Sequence, residues 1–96
     1  MSIVVVGGND RMTSIYKDIC RSYDCKAKIF TQMPANFADK IGKPDLVVIF
    51  TNTVSHQMVV RVNQRAQKLR FPVARVNSAG AGALRQVLSE YVGAGV

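Results

Sequence analysis

The only histidine of the chain, His56, closes the run Thr51-Asn52-Thr53-Val54-Ser55-His56, where hydroxyl and amide side chains follow directly on the apolar residues Leu46 to Phe50. A second polar cluster, Gly7-Gly8-Asn9-Asp10-Arg11, follows the apolar run Ile3 to Val6, and a third, Arg75-Val76-Asn77-Ser78, follows Pro72-Val73-Ala74. Glycines permit positive φ and a close backbone approach, Arg11 and Arg75 carry charge, and Asn52, Thr53, Ser55, His56, Asn77 and Ser78 can orient a polar ligand. Together they have the chemistry of a phosphate or carboxylate site. His56 is also a candidate base or metal ligand.

Other chemistries are poorly served. Val-Gly-Gly-Asn-Asp-Arg lacks the third glycine of a dinucleotide fingerprint and the Lys-Ser/Thr of a P-loop, so it also reads as a tight strand-to-helix turn with no ligand. Spacing supports no Ser-His-Asp or Cys-His pair, and no residue is assigned a catalytic role. One histidine without a CxxC pair makes no protein-only zinc site. A phosphoacceptor site fails because Thr51 stands where a receiver domain carries aspartate.

The elements that must position these clusters follow from periodicity. Leu46 to Phe50 has three β-branched residues and no polar one, as a strand buried on both faces does. Ile3 to Val6 reads as a first strand, Lys26 to Thr31 as an edge strand defended by lysines, and Val73 to Val76 as a fourth strand. Met12, Ile15, Tyr16, Ile19, Cys20 and Tyr23 recur at helical spacing after an Asn9 or Asp10 cap. Phe37 to Ile41, closed by Gly42, makes a short helix. Met58, Val59, Val62, Ala66 and Leu69 stripe a long one, capped by Asn52 or Thr53 and broken at Phe71-Pro72. Leu84, Val87, Leu88 and Tyr91 stripe the last. The alternation specifies a small flavodoxin-like, Rossmann-like three-layer α/β sandwich with a four-stranded parallel sheet of order 2-1-3-4. That order opens a crevice between the carboxyl ends of strands 1 and 3. Residues 1–92 form one domain and 93–96 a loose tail.

The chain has 96 residues, 48% hydrophobic and 20% charged, which speaks against disorder. No stretch approaches the ~20 apolar residues of a membrane span. With no export signal, the expectation is a cytoplasmic protein whose Cys20 and Cys25 stay reduced, Cys20 as core packing. The net charge is +7, and from Leu46 to Ser89 no acidic residue stands among Arg61, Arg65, Lys68, Arg70, Arg75 and Arg85. Such a field is either a solvated face or a surface for an anionic partner.

The blocks V-V-G-G-N-D-R, Y-K-D-I-C, F-T-Q-M-P-A-N-F, K-I-G-K-P-D-L-V-V-I-F-T-N-T-V-S-H and P-V-A-R-V-N-S resemble the small bacterial domain-of-unknown-function family 2325, from Ile3 to about Leu88. The resemblance implies an α/β ligand or cofactor binder of unsettled activity, with haem one candidate cofactor. Relatives often carry histidine where this chain has Asn9 and Asn77, so a mechanism needing two imidazoles does not carry over.

Three functional readings stand. The first is a non-enzymatic module, in the role of a sensor, for a small anionic ligand such as a nucleotide or phosphorylated metabolite. The second is a haem protein with His56 as axial ligand in a crevice lined by Met12 and Val54. The third is nucleic-acid binding through Arg61, Arg65, Lys68 and Arg70. A homodimer is expected through the edge of strand 4 and the last helix, anchored by Phe71, Leu84 and Tyr91.

Overall fold

A computed structural model describes residues 1–93 of the chain. Four strands, β1 (Ser2–Val6), β2 (Lys26–Phe30), β3 (Leu46–Phe50) and β4 (Val73–Val76), alternate with helices α1 (Thr13–Ser22), α2 (Phe37–Ile41), α3 (His56–Leu69) and α4 (Ala81–Leu88). All pairings are parallel and the order is β2-β1-β3-β4, as the alternation of strands and helices requires. β1 and β3 are therefore central, and every residue of β3 is buried.

The central strands sort their side chains by parity. Ile3, Val5, Leu46, Val48 and Phe50 join Ala74 in a core with Tyr16, Ile19, Cys20 and Leu84 of α1 and α4. Val4, Val6, Val47 and Ile49 face the other way, onto Phe37, Ile41, Met58 and Val62 of α2 and α3. A side-chain period of two with helices on both faces leaves no solvent side, so the strands carry no polar residue in their centres. Tyr16 and Phe50 pack at 5.2 Å with their rings tilted by 41° on one face, and Phe30 meets Phe37 edge-on at 5.3 Å on the other.

Local signals end the elements in ways that differ from expectation in detail. α3 stops because Arg70 adopts φ +60°, a left-handed cap whose N–H returns to Ala66 O, one residue before Phe71-Pro72. α1 ends in a left-handed turn at Asp24, where Asp24 N bonds Arg21 O and Cys25 N bonds Cys20 O. Asn9 caps not α1 itself but a 3₁₀ turn, Asp10–Met12, that precedes it. Ser55, rather than Asn52 or Thr53, caps α3, because Thr51–Thr53 are taken up by a second 3₁₀ turn.

Of the proposed dimer anchors, Phe71 and Leu84 belong to the core and only Tyr91 is exposed. α4 runs into a π-helical turn over Ser89–Gly93, and Val92 packs against the core. Within the expected 93–96 tail, residues 94–96 lie outside the described ones. No helix among the described residues is long and apolar enough to cross a membrane.

Candidate functional site

The carboxyl ends of the four strands bring the three polar clusters to one edge of the sheet, where their hydrogen bonds join them to one another. Gly7 and Gly8 turn with φ +95° and +91°, conformations that exclude most side chains. Their amides are committed: Gly7 N donates to Phe30 O at 2.8 Å, and Gly8 N to Thr53 Oγ1 at 2.7 Å. The Thr53 hydroxyl in turn donates to Phe50 O at 3.3 Å, so both of its functions are used. Asn9 Oδ1 accepts from Arg11 N, and Thr31 donates to Asp10. Thr51 Oγ1 donates to Asn77 Oδ1 at 3.0 Å or Val76 O at 3.3 Å. Ser78 Oγ accepts from Gly80 N.

These bonds tie the loop after β1 to those after β2 and β3, and the loop after β3 to that after β4. The glycine turn is thus a structural joint, and its amides are not presented to a ligand. Beneath it, a Cβ on Gly8 would lie 2.8 Å from the Tyr16 ring. That ring is fixed by packing on Phe50 and by a 2.6 Å bond from its hydroxyl to Ala79 O. Close packing is confined to the glycine turn; Asn9, Asp10, Arg11, Thr51, Asn52, Thr53, Asn77 and Ser78 are exposed along the same edge.

The remaining candidates separate from this cluster. Arg75 pairs with Ile49 across the sheet, and Ile49 faces α3; by parity Arg75 leaves on that same face, where Nη2 donates to Asn63 Oδ1 at 2.9 Å. Met12 packs on the α1/α4 core and Val54 on the α2/α3 core, so they do not line a common crevice. Ser55 spends its oxygen on Met58 N. Asn52 and Arg11 are exposed, as is His56 in the first turn of α3. Of the basic row on α3, Arg65 is half-buried with Nε on Gly42 O, which leaves Arg61, Lys68 and Arg70 at the surface.

Open space lies beside the joint, on the outer side of α3. One hollow of about 430 Å³ is lined by His56, Gln57, Val60, Arg61 and Gln64. A second, of about 410 Å³, is lined by the loop Met33 to Asn36, by Phe37, Ala38 and Asp39 of α2, and again by Arg61. Both fall within the usual ligand-site range of roughly 300–1,000 Å³. Among the described residues Arg61 has no carboxylate within ion-pair distance, and the sole ion pair is Asp18–Arg21, exposed on α1. Met33 and Val60, both 37% exposed, set apolar surface into the two hollows. No three His, Cys, Asp or Glu side chains among the described residues gather as metal ligands.

Among the predicted site residues only His56 lines these hollows. Gln57, Arg61, Gln64, Met33, Asn36 and Asp39 are missed by a reading of loops alone. The segment Phe30 to Phe37 and the polar outer stripe of α3 were the available signals, and neither says by itself that the two surfaces meet.

A family model described as "Uncharacterized protein conserved in bacteria (DUF2325)" matches residues 2–91. No curated protein and no solved structure matches the chain.

Proposed function

We propose that this chain, which belongs to the DUF2325 family of uncharacterised bacterial proteins, is a binding module for a small anionic ligand, a nucleotide or phosphorylated metabolite, held over α3 at Arg61. The observation that carries the reading is that one guanidinium, unpaired with any carboxylate among the described residues, lines both hollows. A guanidinium fork matches phosphate in geometry as well as charge. The first turn of α3 adds the partial positive charge of a helix N-terminus, and His56, Gln57 and Gln64 supply directed hydrogen bonds.

The polarity of the two hollows assigns the ends of the ligand. No carboxylate lines the hollow with His56, so the phosphate goes there. Asp39 lines the other, where an anion would be repelled but a hydroxyl or amino donor is accepted, and Met33 offers apolar surface to a ring. No catalytic residue is assigned.

Thermal-shift measurements and calorimetry with mononucleotides, sugar phosphates and inorganic phosphate test this. Stabilisation lost in Arg61→Ala and retained in Arg11→Ala is the expected result. Indifference to every anion, or equal binding by Arg61→Ala, overturns it. Titrations with haemin and with oligonucleotides at two salt concentrations test the other two readings. A Soret shift lost in His56→Ala would favour haem, and a salt-dependent gel shift lost in Lys68→Ala/Arg70→Ala would favour nucleic acid.

A further inference from the structure

The end of α1 places the two cysteines of the chain together. Asp24 N donates to Arg21 O at 2.9 Å and Cys25 N to Cys20 O at 2.9 Å, with Asp24 at φ +57°. This is the Schellman arrangement, in which the sixth residue bonds back to the first and the side chains of those two residues make an apolar contact over the helix end. Here the first and sixth residues are Cys20 and Cys25. Bond lengths on either side of the 2.9 Å hydrogen bond hold the two Cα atoms within ~7 Å, the outer limit for a disulfide. Both side chains belong to the same core cluster.

The two thiols differ in access. Cys20 is 0% exposed, whereas Cys25, at 6%, forms part of the lining of a surface hollow of about 330 Å³ with Lys17, Arg21, Lys26 and Ala27. Cys25 Sγ donates to Tyr23 O at 3.3 Å, which holds the sulfur at the helix end. A small oxidant entering the hollow meets Cys25 first and has Cys20 behind it.

We propose that Cys20 and Cys25 are a dithiol that hydrogen peroxide converts to an intramolecular disulfide, with Cys25 as the entry thiol and Cys20 as the resolving one. The Cys25 sulfur attacks a peroxide oxygen and the O–O bond breaks. Cys25 sulfenic acid forms, and the departing hydroxide leaves as water with the thiol proton. The Cys20 sulfur then attacks the Cys25 sulfur, the S–O bond breaks, and a second water carries off the Cys20 proton. Two thiols and one peroxide give one disulfide and two waters, with two electrons passed from sulfur to oxygen. The bond would join the last turn of α1 to the residue just before β2.

Peptide mapping after peroxide treatment of the folded, reduced protein is the test. Trypsin cuts after Lys17, Arg21 and Lys26, so the disulfide must appear as Asp18–Arg21 joined to Ser22–Lys26, in a protein of monomer mass that has lost two hydrogens. Cys20→Ala should stop at a Cys25 sulfenic acid that dimedone traps, and Cys25→Ala should resist oxidation at Cys20. Overoxidised but unlinked peptides in the wild-type protein, or a link only between two chains, would overturn the proposal. The wild-type map decides even if a variant fails to fold.

Discussion

The glycine turn with its threonine partners and the outer face of α3 are adjacent regions of similar composition that do opposite things. In the first, Gly8 N, both functions of Thr53, the Thr51 hydroxyl and the Asn9 and Ser78 oxygens are consumed within the protein. In the second, Arg61 pairs with no carboxylate among the described residues, and apolar groups stay exposed beside it. Hydrogen-bonding groups that satisfy one another hold a structure together, whereas unsatisfied ones at a concave surface are available to a ligand. The proposed site lies where polar groups are left over, and the count of polar residues does not find it.

Substitutions can break this contrast. The largest expected effect is on stability, from Gly8→Ala. It adds a methyl within 2.8 Å of a ring held on two sides, at φ +91°. Overpacking and left-handed backbone together cost about 2–4 kcal/mol. A urea midpoint should fall accordingly while the affinity of the remaining folded protein is unchanged. Arg61→Ala should do the reverse, with affinity for phosphorylated ligands falling about tenfold or more, since charged hydrogen bonds contribute ~1.5–3 kcal/mol. Its urea midpoint should shift by no more than an exposed surface change does, within ~0.5 kcal/mol.

Thr53→Val is the intermediate case. It leaves the Gly8 amide without its partner and should cost ~1 kcal/mol of stability and no affinity. If it weakens ligand binding as much as Arg61→Ala, the two regions are one site and the contrast fails.

The smallest effect is absent at neutral pH. Burial first, and neighbouring Cys25 second, push the Cys20 thiol up from 9.0 to about 11. A folded pKa above the unfolded one means that stability is complete below pH 9 and declines as pH rises toward 11. Denaturation midpoints taken over that window should fall more steeply for the wild type than for Cys20→Ala.

The fold was legible because each strand and helix has its own period. Leu46 to Phe50 is too apolar for any position but the sheet centre, and the 3.6-residue stripe of Met58, Val62 and Leu69 allows one buried face. The site was less so. Residue types place Thr53 and Gly8 in adjacent loops, but whether their groups face each other or a ligand depends on loop geometry that no spacing encodes. The direction of Arg75 was available, since parity along β4 sends it and Val73 to the same face, away from buried Ala74. Arg61 was noticed only as charge, because its place in the proposed site depends on the β2–α2 loop, distant in sequence, lining the same hollow.

The complete burial of β3 has a consequence away from the native state. Leu46 to Phe50 carries no charge, no proline and no glycine, and its side chains, divided between two cores when folded, all become adhesive when the sheet opens. Pro44 and Asp45 stand immediately before it and Asn52 shortly after, where gatekeepers interrupt strand stacking between chains. Parallel pairing forms late because it joins segments remote in sequence, so this segment remains exposed through much of folding. Recovery from denaturant should therefore depend on protein concentration, with losses growing as chains meet through β3 before β1 and β4 have covered it.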